Sequence, residues 1–353
     1  MFKIIPWLVA CVLLLAGCKS KRNADKAAPI VSGQMPNLTS DRRGSIHLVY
    51  GSGDSILYAV STDQGHSFSK PTLVAPLPDL AASHMRGPQI AASKNGLVIT
   101  ACTSEGNVFA FTKSEGQDWL NAGRVNDVDT IAKENLMALS ADGDLAFAIW
   151  LDLREKHNKI FATSSTDGGK HWSTNRLVYA SPDSTVCECC KPSVLVSGND
   201  VYVMFRNSFK GNRDLYVIKS EDGGKSFGDA SKLGEGSWAL NACPMDGGGM
   251  ALVKELGMKT VWNREGMIYA CGLHEKERVI GKGKNCTITN VGDRPVYAWT
   301  ENGEVVIVDN LGKKQNLGKG QLPQIQELPD EKLLCVWENE GEIYRAVVDM
   351  RVD

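Results

Sequence analysis

The sequence predicts an all-β fold, a closed β-propeller of four-stranded antiparallel blades. Three observations carry that prediction. Pairs of short, alternating apolar segments follow one another along the chain, and seven such pairs can be counted. A glycine-containing turn octapeptide recurs between some of them. The repeat length is roughly forty to fifty residues, which is the length of one blade. Seven blades are expected. Six would remain if the least regular unit, residues 285–318, were an insertion.

The chain opens on "MFKIIPWLVACVLLLAGCKS", a basic Lys3, an apolar run and small residues leading to Cys18. That pattern predicts a secretory signal over residues 1–17, because the apolar run is short for a membrane span. "LAGC" resembles the lipobox of bacterial lipoproteins, which implies cleavage before Cys18 and its lipidation. The following "KSKRNADKAAP" is charged and poor in large apolar residues, so residues 18–28 read as a flexible tether and residues 29–353 as one propeller domain. The resemblance places the protein in the bacterial cell envelope, anchored to a membrane. With 39 Lys and Arg against 41 Asp and Glu and no basic block, nucleic acid is excluded as an expected partner.

In the domain, the expected second strands are "SIHLVYG", "GLVITACT", "DLAFAIWLD", "DVYVMFRN", "MKTVWNRE", "PVYAWTEN" and "KLLCVWEN". Each is followed by a third strand, from "SILYAVS" to "EIYRAVV". First strands precede them and often open at proline, as in "MPNLTS", "KPSVLVS" and "LPQIQEL", a position where proline costs no ladder bond. The last unit lacks a fourth strand. "APIVS", residues 28–32, is expected to supply it and so to remove a free sheet edge.

The recurrent octapeptides are "STDQGHSF", "STDGGKHW" and "SEDGGKSF", and "TKSEGQDW" is a degenerate fourth with Ser114 in the Asp place. Asp63, Asp167 and Asp222 can accept turn amides, the glycine permits positive φ, and the aromatic ring folds back between sheets. A structural role is expected, since the loops lack the ligand count of a calcium site. The motif resembles the Asp-box of sialidase-like β-propellers. Antiparallel alternation puts the Asp-boxes on one face of the ring. The opposite face receives the loops before first strands and after second strands, and there lie His84, Arg86, Asp152, Arg206, Asp246 and Arg264. A ligand funnel is expected on that face.

The resemblance to the sialidase superfamily implies three arginines that hold a substrate carboxylate, an Asp as acid/base catalyst, and a Tyr–Glu nucleophile. "MRGP" resembles the stretch carrying the first family arginine, which makes Arg86 its counterpart; Arg206 and Arg264 are the expected second and third, and Asp152 the candidate acid. Tyr297 and Tyr344 lie inside strands, so the last blades offer no evident nucleophile. Binding of a small anionic or carbohydrate ligand, with His84 and Asp246 as polar contacts, is therefore the leading expectation. An exo-sialidase-type hydrolase is the alternative.

Once Cys11 leaves with the signal and Cys18 is acylated, eight cysteines remain. Cys187, Cys189 and Cys190 enter the fourth blade and Cys243 enters the fifth, so a disulfide from the cluster to Cys243 is expected as a staple between neighbours. The bunching of three within four residues is unlike the spacing of a tetrahedral thiolate site. No cofactor is required, and a soft metal at the cluster, or redox handling through it, is the weaker alternative. The group of envelope proteins that this chain also resembles carries "CECC" and "CPMDGG" stretches of the same kind.

Overall fold

The computed structural model describes residues 24–183 and 185–351. The expected signal peptide, Cys18 and most of the tether lie outside the described residues. Seven four-stranded antiparallel sheets stand around one axis. In chain order blades 1 to 6 span residues 34–76, 89–124, 137–179, 193–232, 248–282 and 284–319. Blade 7 is made of Gln321–Leu328, Lys332–Asn339 and Glu342–Asp349 with Ala28–Ser32 on its outer edge. The unit at 285–318 is a complete blade and not an insertion.

Closure is as expected: Ala28 pairs with Arg345 and Ser32 with Glu342. The order begins before Pro29. Ala24 bridges Val348, and the Asp25 amide donates to Val347 at 3.0 Å, so residues 24–27 run along the last strand instead of hanging free. Ala24 and Ala27 pack on the core between blades 6 and 7. The first strand of each blade lines the axis and the second is the most buried, as in Leu145–Asp152, where every residue after Leu145 is buried. That burial on both faces explains why second strands read as continuous apolar runs.

The Asp-boxes join blade to blade. In each, the serine hydroxyl bonds the Asp and accepts the glycine amide: Ser220 Oγ to Asp222 Oδ1 is 2.7 Å and Gly224 N to Ser220 Oγ is 2.9 Å. Against a desolvation that raises it, hydrogen bonds from Ser67 and Ser61 hold the Asp63 carboxyl down to about 2. These carboxylates are consumed by their own turns. The glycine of each full box then seats against the preceding blade: Gly65 on Leu334, Gly169 on Val98 and Gly224 on Phe147. Phe227 also lies over Phe147, with ring centroids 6.2 Å apart. The degenerate box has lost the Asp, and there Thr112 donates to the Gly168 carbonyl of the next box at 2.5 Å.

Two predictions follow from these contacts. A Cβ at Gly224 would stand 2.1 Å from the Phe147 ring, whereas one at Gly116, which shares the positive φ, meets nothing within 4 Å. Gly116→Ala should cost about 1–2 kcal/mol through φ alone. Gly224→Ala should cost about 1–3 kcal/mol more, through overpacking. Denaturant unfolding of the two variants measures the difference, and equal losses would show that the box glycines answer only to turn geometry. Deleting residues 24–32 should expose the Glu342–Asp349 edge and lower stability by about 3 kcal/mol or more. Unchanged thermal unfolding after that deletion would refute strand closure as the clasp.

Candidate functional site

Where the first strands meet, they enclose an axial cavity of about 220 Å³. All seven blades reach it: Asn37, Gln89, Leu139, Lys191, Asp246, Asn285 and Gln324 each come from a different blade or from the segment leading into one. Met35, Met85 and Leu322 supply apolar wall. Three neighbouring blades shape the cavity with the same device. Met35, Asn285 and Leu322 take φ of 53°, 54° and 56°, and the first-strand register slips at each. The slip leaves an amide without a ladder partner. A side chain from the preceding blade, or from the segment leading into it, accepts it: Glu338 takes Met35 N at 3.0 Å, Thr300 takes Leu322 N at 3.2 Å, and Asp246 takes Asn285 N at 3.2 Å.

Two ionisable groups share this cavity, a half-buried lysine and a buried aspartate. The Lys191 ammonium donates to Gln89 Oε1 at 2.7 Å, and burial pushes it down to about 8. Gln89 is fixed for that task because its amide nitrogen donates to the Gly87 and Pro88 carbonyls. Among the described residues no carboxylate forms an ion pair with Lys191. Asp246 is 2% exposed, and burial raises its pKa against the lowering pull of Arg206 and of the Asn285 and Gly247 amides. Asn285 is 8% exposed, and neither its side-chain oxygen nor its nitrogen has a partner. A buried amide of that kind costs free energy until something bonds it.

The residues expected from the sequence divide sharply. Asp246 lines the cavity. His84 stands near it, its Nε2 3.4 Å from the Met245 carbonyl oxygen. The three arginines do not form a clamp there, because none lines the cavity and each guanidinium is engaged by protein. Arg86 donates to the Glu134 carbonyl at 2.9 Å. Arg206, 2% exposed, bridges the Arg213 and Asn263 carbonyls at 2.8 Å each and faces Trp238. Arg264 pairs with Glu277 and stacks on Tyr269. Asp152 is wholly buried, accepting from Trp150 Nε1 and Arg154 at 2.9 Å, so as folded it holds a loop and meets no solvent. No tyrosine lines the cavity among the described residues. Lys191, Asn285 and Gln89 were not anticipated.

The cysteine staple is present as a Cys189–Cys243 disulfide spanning 54 residues between blades 4 and 5. Cys187 and Cys190 are free thiols beside it, and they stand at Cys-x-x-Cys spacing, which the reading of three bunched cysteines had passed over. The sulfurs of Cys187, Cys189 and Cys190 lie within 4.8 Å of one another, and a soft metal ion could take all three only with the staple reduced. Cys335 is fully buried, and burial raises its pKa far above the ordinary thiol value.

A seven-bladed propeller with Asp-box turns and a small polar axial cavity is thus the class of protein that fold and site define. The chain belongs to the BNR repeat-like domain family, which it matches over residues 19–187 and 133–257. No curated protein matches the sequence. Solved structures share the fold at low identity. The BP39L lectin of Burkholderia pseudomallei is similar at 9% identity and a TM-score of 0.65, covering 92% of this chain and 98% of that one. The virginiamycin B lyase of Staphylococcus aureus, in an inactive mutant solved with quinupristin, is similar at 10% identity and a TM-score of 0.58, covering 93% and 99%. An α-L-arabinofuranosidase of Fusarium graminearum reaches 13% identity and a TM-score of 0.50, covering 92% and 97%. At these identities the likeness is one of fold.

Proposed function

We propose that the protein is a ligand-binding propeller that takes a small anionic molecule, or the acidic group of a glycan, into the axial cavity. The observation that carries this reading is Lys191: a half-buried ammonium held by a neutral amide, with no carboxylate pair among the described residues, in the same cavity as the unpartnered side-chain amide of Asn285. Withdrawing a cation even partly from water without a counter-charge costs free energy. An incoming carboxylate would relieve it, and Asn285 would donate a second bond. The cavity is smaller than the roughly 300–1,000 Å³ that drug-sized ligands occupy, so a single sugar or a smaller acid fits its scale. That carbohydrate-binding and carbohydrate-cleaving proteins appear among the fold relatives is compatible with this choice of ligand.

The sign of the pH dependence follows from Lys191. Its free-state pKa of about 8 lies below the ordinary 10.5, so the ammonium is present at pH 7 and is lost as pH rises through 8. A bound anion favours the charged form, and binding above pH 8 is therefore coupled to proton uptake. Calorimetric titration with N-acetylneuraminate, glucuronate and simple carboxylates should find affinity flat from pH 6 to about 7.5, then falling by up to about tenfold per pH unit. Lys191→Met should weaken binding by about 1.5–3 kcal/mol and abolish the pH dependence. Absence of binding by every acid in that set, or equal binding by the variant, would overturn the reading.

We also propose that Cys18 carries lipid and anchors the propeller in the bacterial envelope, a reading supported by the "LAGC" stretch and the charged segment after it. Metabolic labelling with a fatty acid should mark the wild-type protein. Cys18→Ser should lose the label and leave the membrane fraction; a variant that keeps both would refute the anchor.

A further inference from the structure

The cysteine cluster lies apart from the reading of the axial cavity and raises its own question. Cys187 is wholly buried, with its sulfur 3.4 Å from Cys190 Sγ and 3.7 Å from Cys189 Sγ, which is already one half of the disulfide. Arg213 donates from its guanidinium to Cys187 Sγ at 3.1 Å, and it is itself held by Glu188 at 3.1 Å. A cation aimed at a buried sulfur marks a thiolate. The Cys190 hydrogen bond, offset by burial and helped by Arg213, brings Cys187 down to about 6, while burial and its thiolate neighbour push Cys190 up. The disulfide's other half is different in kind, since Cys243 sits in an exposed loop.

We propose that Cys187, Cys190 and the Cys189–Cys243 disulfide form an internal thiol–disulfide relay that presents a reactive thiolate at the surface on Cys243, where it exchanges with an external disulfide. In the first step the Cys187 thiolate attacks Cys189 Sγ. The Cys187–Cys189 bond forms, the Cys189–Cys243 bond breaks, and the electron pair leaves on Cys243. In the second step Cys190 attacks Cys187 Sγ, forming the Cys187–Cys190 disulfide, and its proton passes to the departing Cys189 thiolate. No oxidant is consumed, because one disulfide has moved from an inter-blade to a Cys-x-x-Cys position. The Cys243 thiolate then attacks an external disulfide, forming a mixed disulfide and releasing one external thiolate. Burial is no obstacle, since the attacking and attacked sulfurs already touch; it serves instead to keep external reagents from the two interior thiols. Arg213 is a positioning residue in this scheme, acting on the Cys187 sulfur.

The test uses the full chain and oxidised glutathione as the external disulfide, with peptide mapping under non-reducing conditions. The relay predicts one glutathione on Cys243, together with a Cys187–Cys190 disulfide and a free Cys189 thiol. Cys187→Ser, which is isosteric and leaves the staple in place, should lower the rate of modification at Cys243 at least tenfold. Arg213→Met should shift the midpoint of the pH–rate profile upward toward that of an ordinary cysteine. Cys190→Ser should stall the reaction at a Cys187–Cys189 bond. Three results would overturn the relay: glutathione on Cys243 at the same rate in Cys187→Ser, glutathione found directly on Cys187 or Cys190, or recovery of both interior thiols unreactive with a stoichiometric metal bound.

Discussion

The structure depends on ring closure. Seven sheets around an axis have no stable open form, since each blade buries its faces on two neighbours and an open ring leaves two faces and a strand edge in water. The clasp joins the two ends of the chain, Ala28–Ser32 against Glu342–Asp349. It is reinforced beyond the strand itself: Asp25 reaches Arg345 and also His66, in the box turn of blade 1, so the N-terminal segment ties blade 7 to blade 1 as well as completing blade 7. The Asp-boxes then set the spacing of neighbours, because a turn glycine in contact with the preceding blade leaves no room for a different separation.

The axial cavity is a product of that spacing. Seven first strands brought side by side would fill the axis with side chains, but the register slips at Met35, Asn285 and Leu322 hold three of them open and turn amides toward the preceding blade. The acceptors differ in chemistry. Glu338 and Thr300 satisfy the slipped amides of blades 1 and 7 with a carboxylate and a hydroxyl, while at blade 6 the acceptor is the carboxylate of Asp246 inside the cavity. A residue needed for the backbone is thereby also part of the cavity wall.

The ring was legible in the sequence because its signals are local: alternating strands, proline at first-strand starts, and octapeptides whose Ser, Asp and Gly are explained by bonds within the turn. The clasp at 28–32 was legible by counting a missing strand. The site was less so. Topology assigned the candidate loops to one face, and Asp246, which lines the cavity, was among them, but charge was taken as the mark of function. Arg206 and Arg264 carry charge for structural ends, bridging carbonyls between blades or pairing with Glu277. Nothing in an isolated arginine distinguishes these uses, since they depend on which carbonyls the tertiary fold leaves unpaired. Lys191 could have been found by the same topological rule, as it immediately precedes Pro192 and a first strand, but its neighbours Cys189 and Cys190 drew the reading. Asn285 offered no signal at all, because its significance lies in a side-chain amide left without a partner by the fold.

The axial cavity and the cysteine cluster meet on one segment. Cys243 and Asp246 stand three residues apart in the loop leading into blade 5, and the Asp246 amide faces the Cys190 sulfur. On the blade 4 side Cys190 adjoins Lys191, the cation of the cavity. The staple therefore does more than join two blades: it fixes the loop that carries Asp246, and so the carboxylate that holds the slipped amide of Asn285. A bond between Cys189 and Cys243 constrains Asp246 and Lys191 from both sides of the cavity. The position of the disulfide and the shape of the axial site are consequently one mechanical problem, since the short segment from Cys243 to Asp246 has little slack over which a movement at one end could be absorbed before it reaches the other.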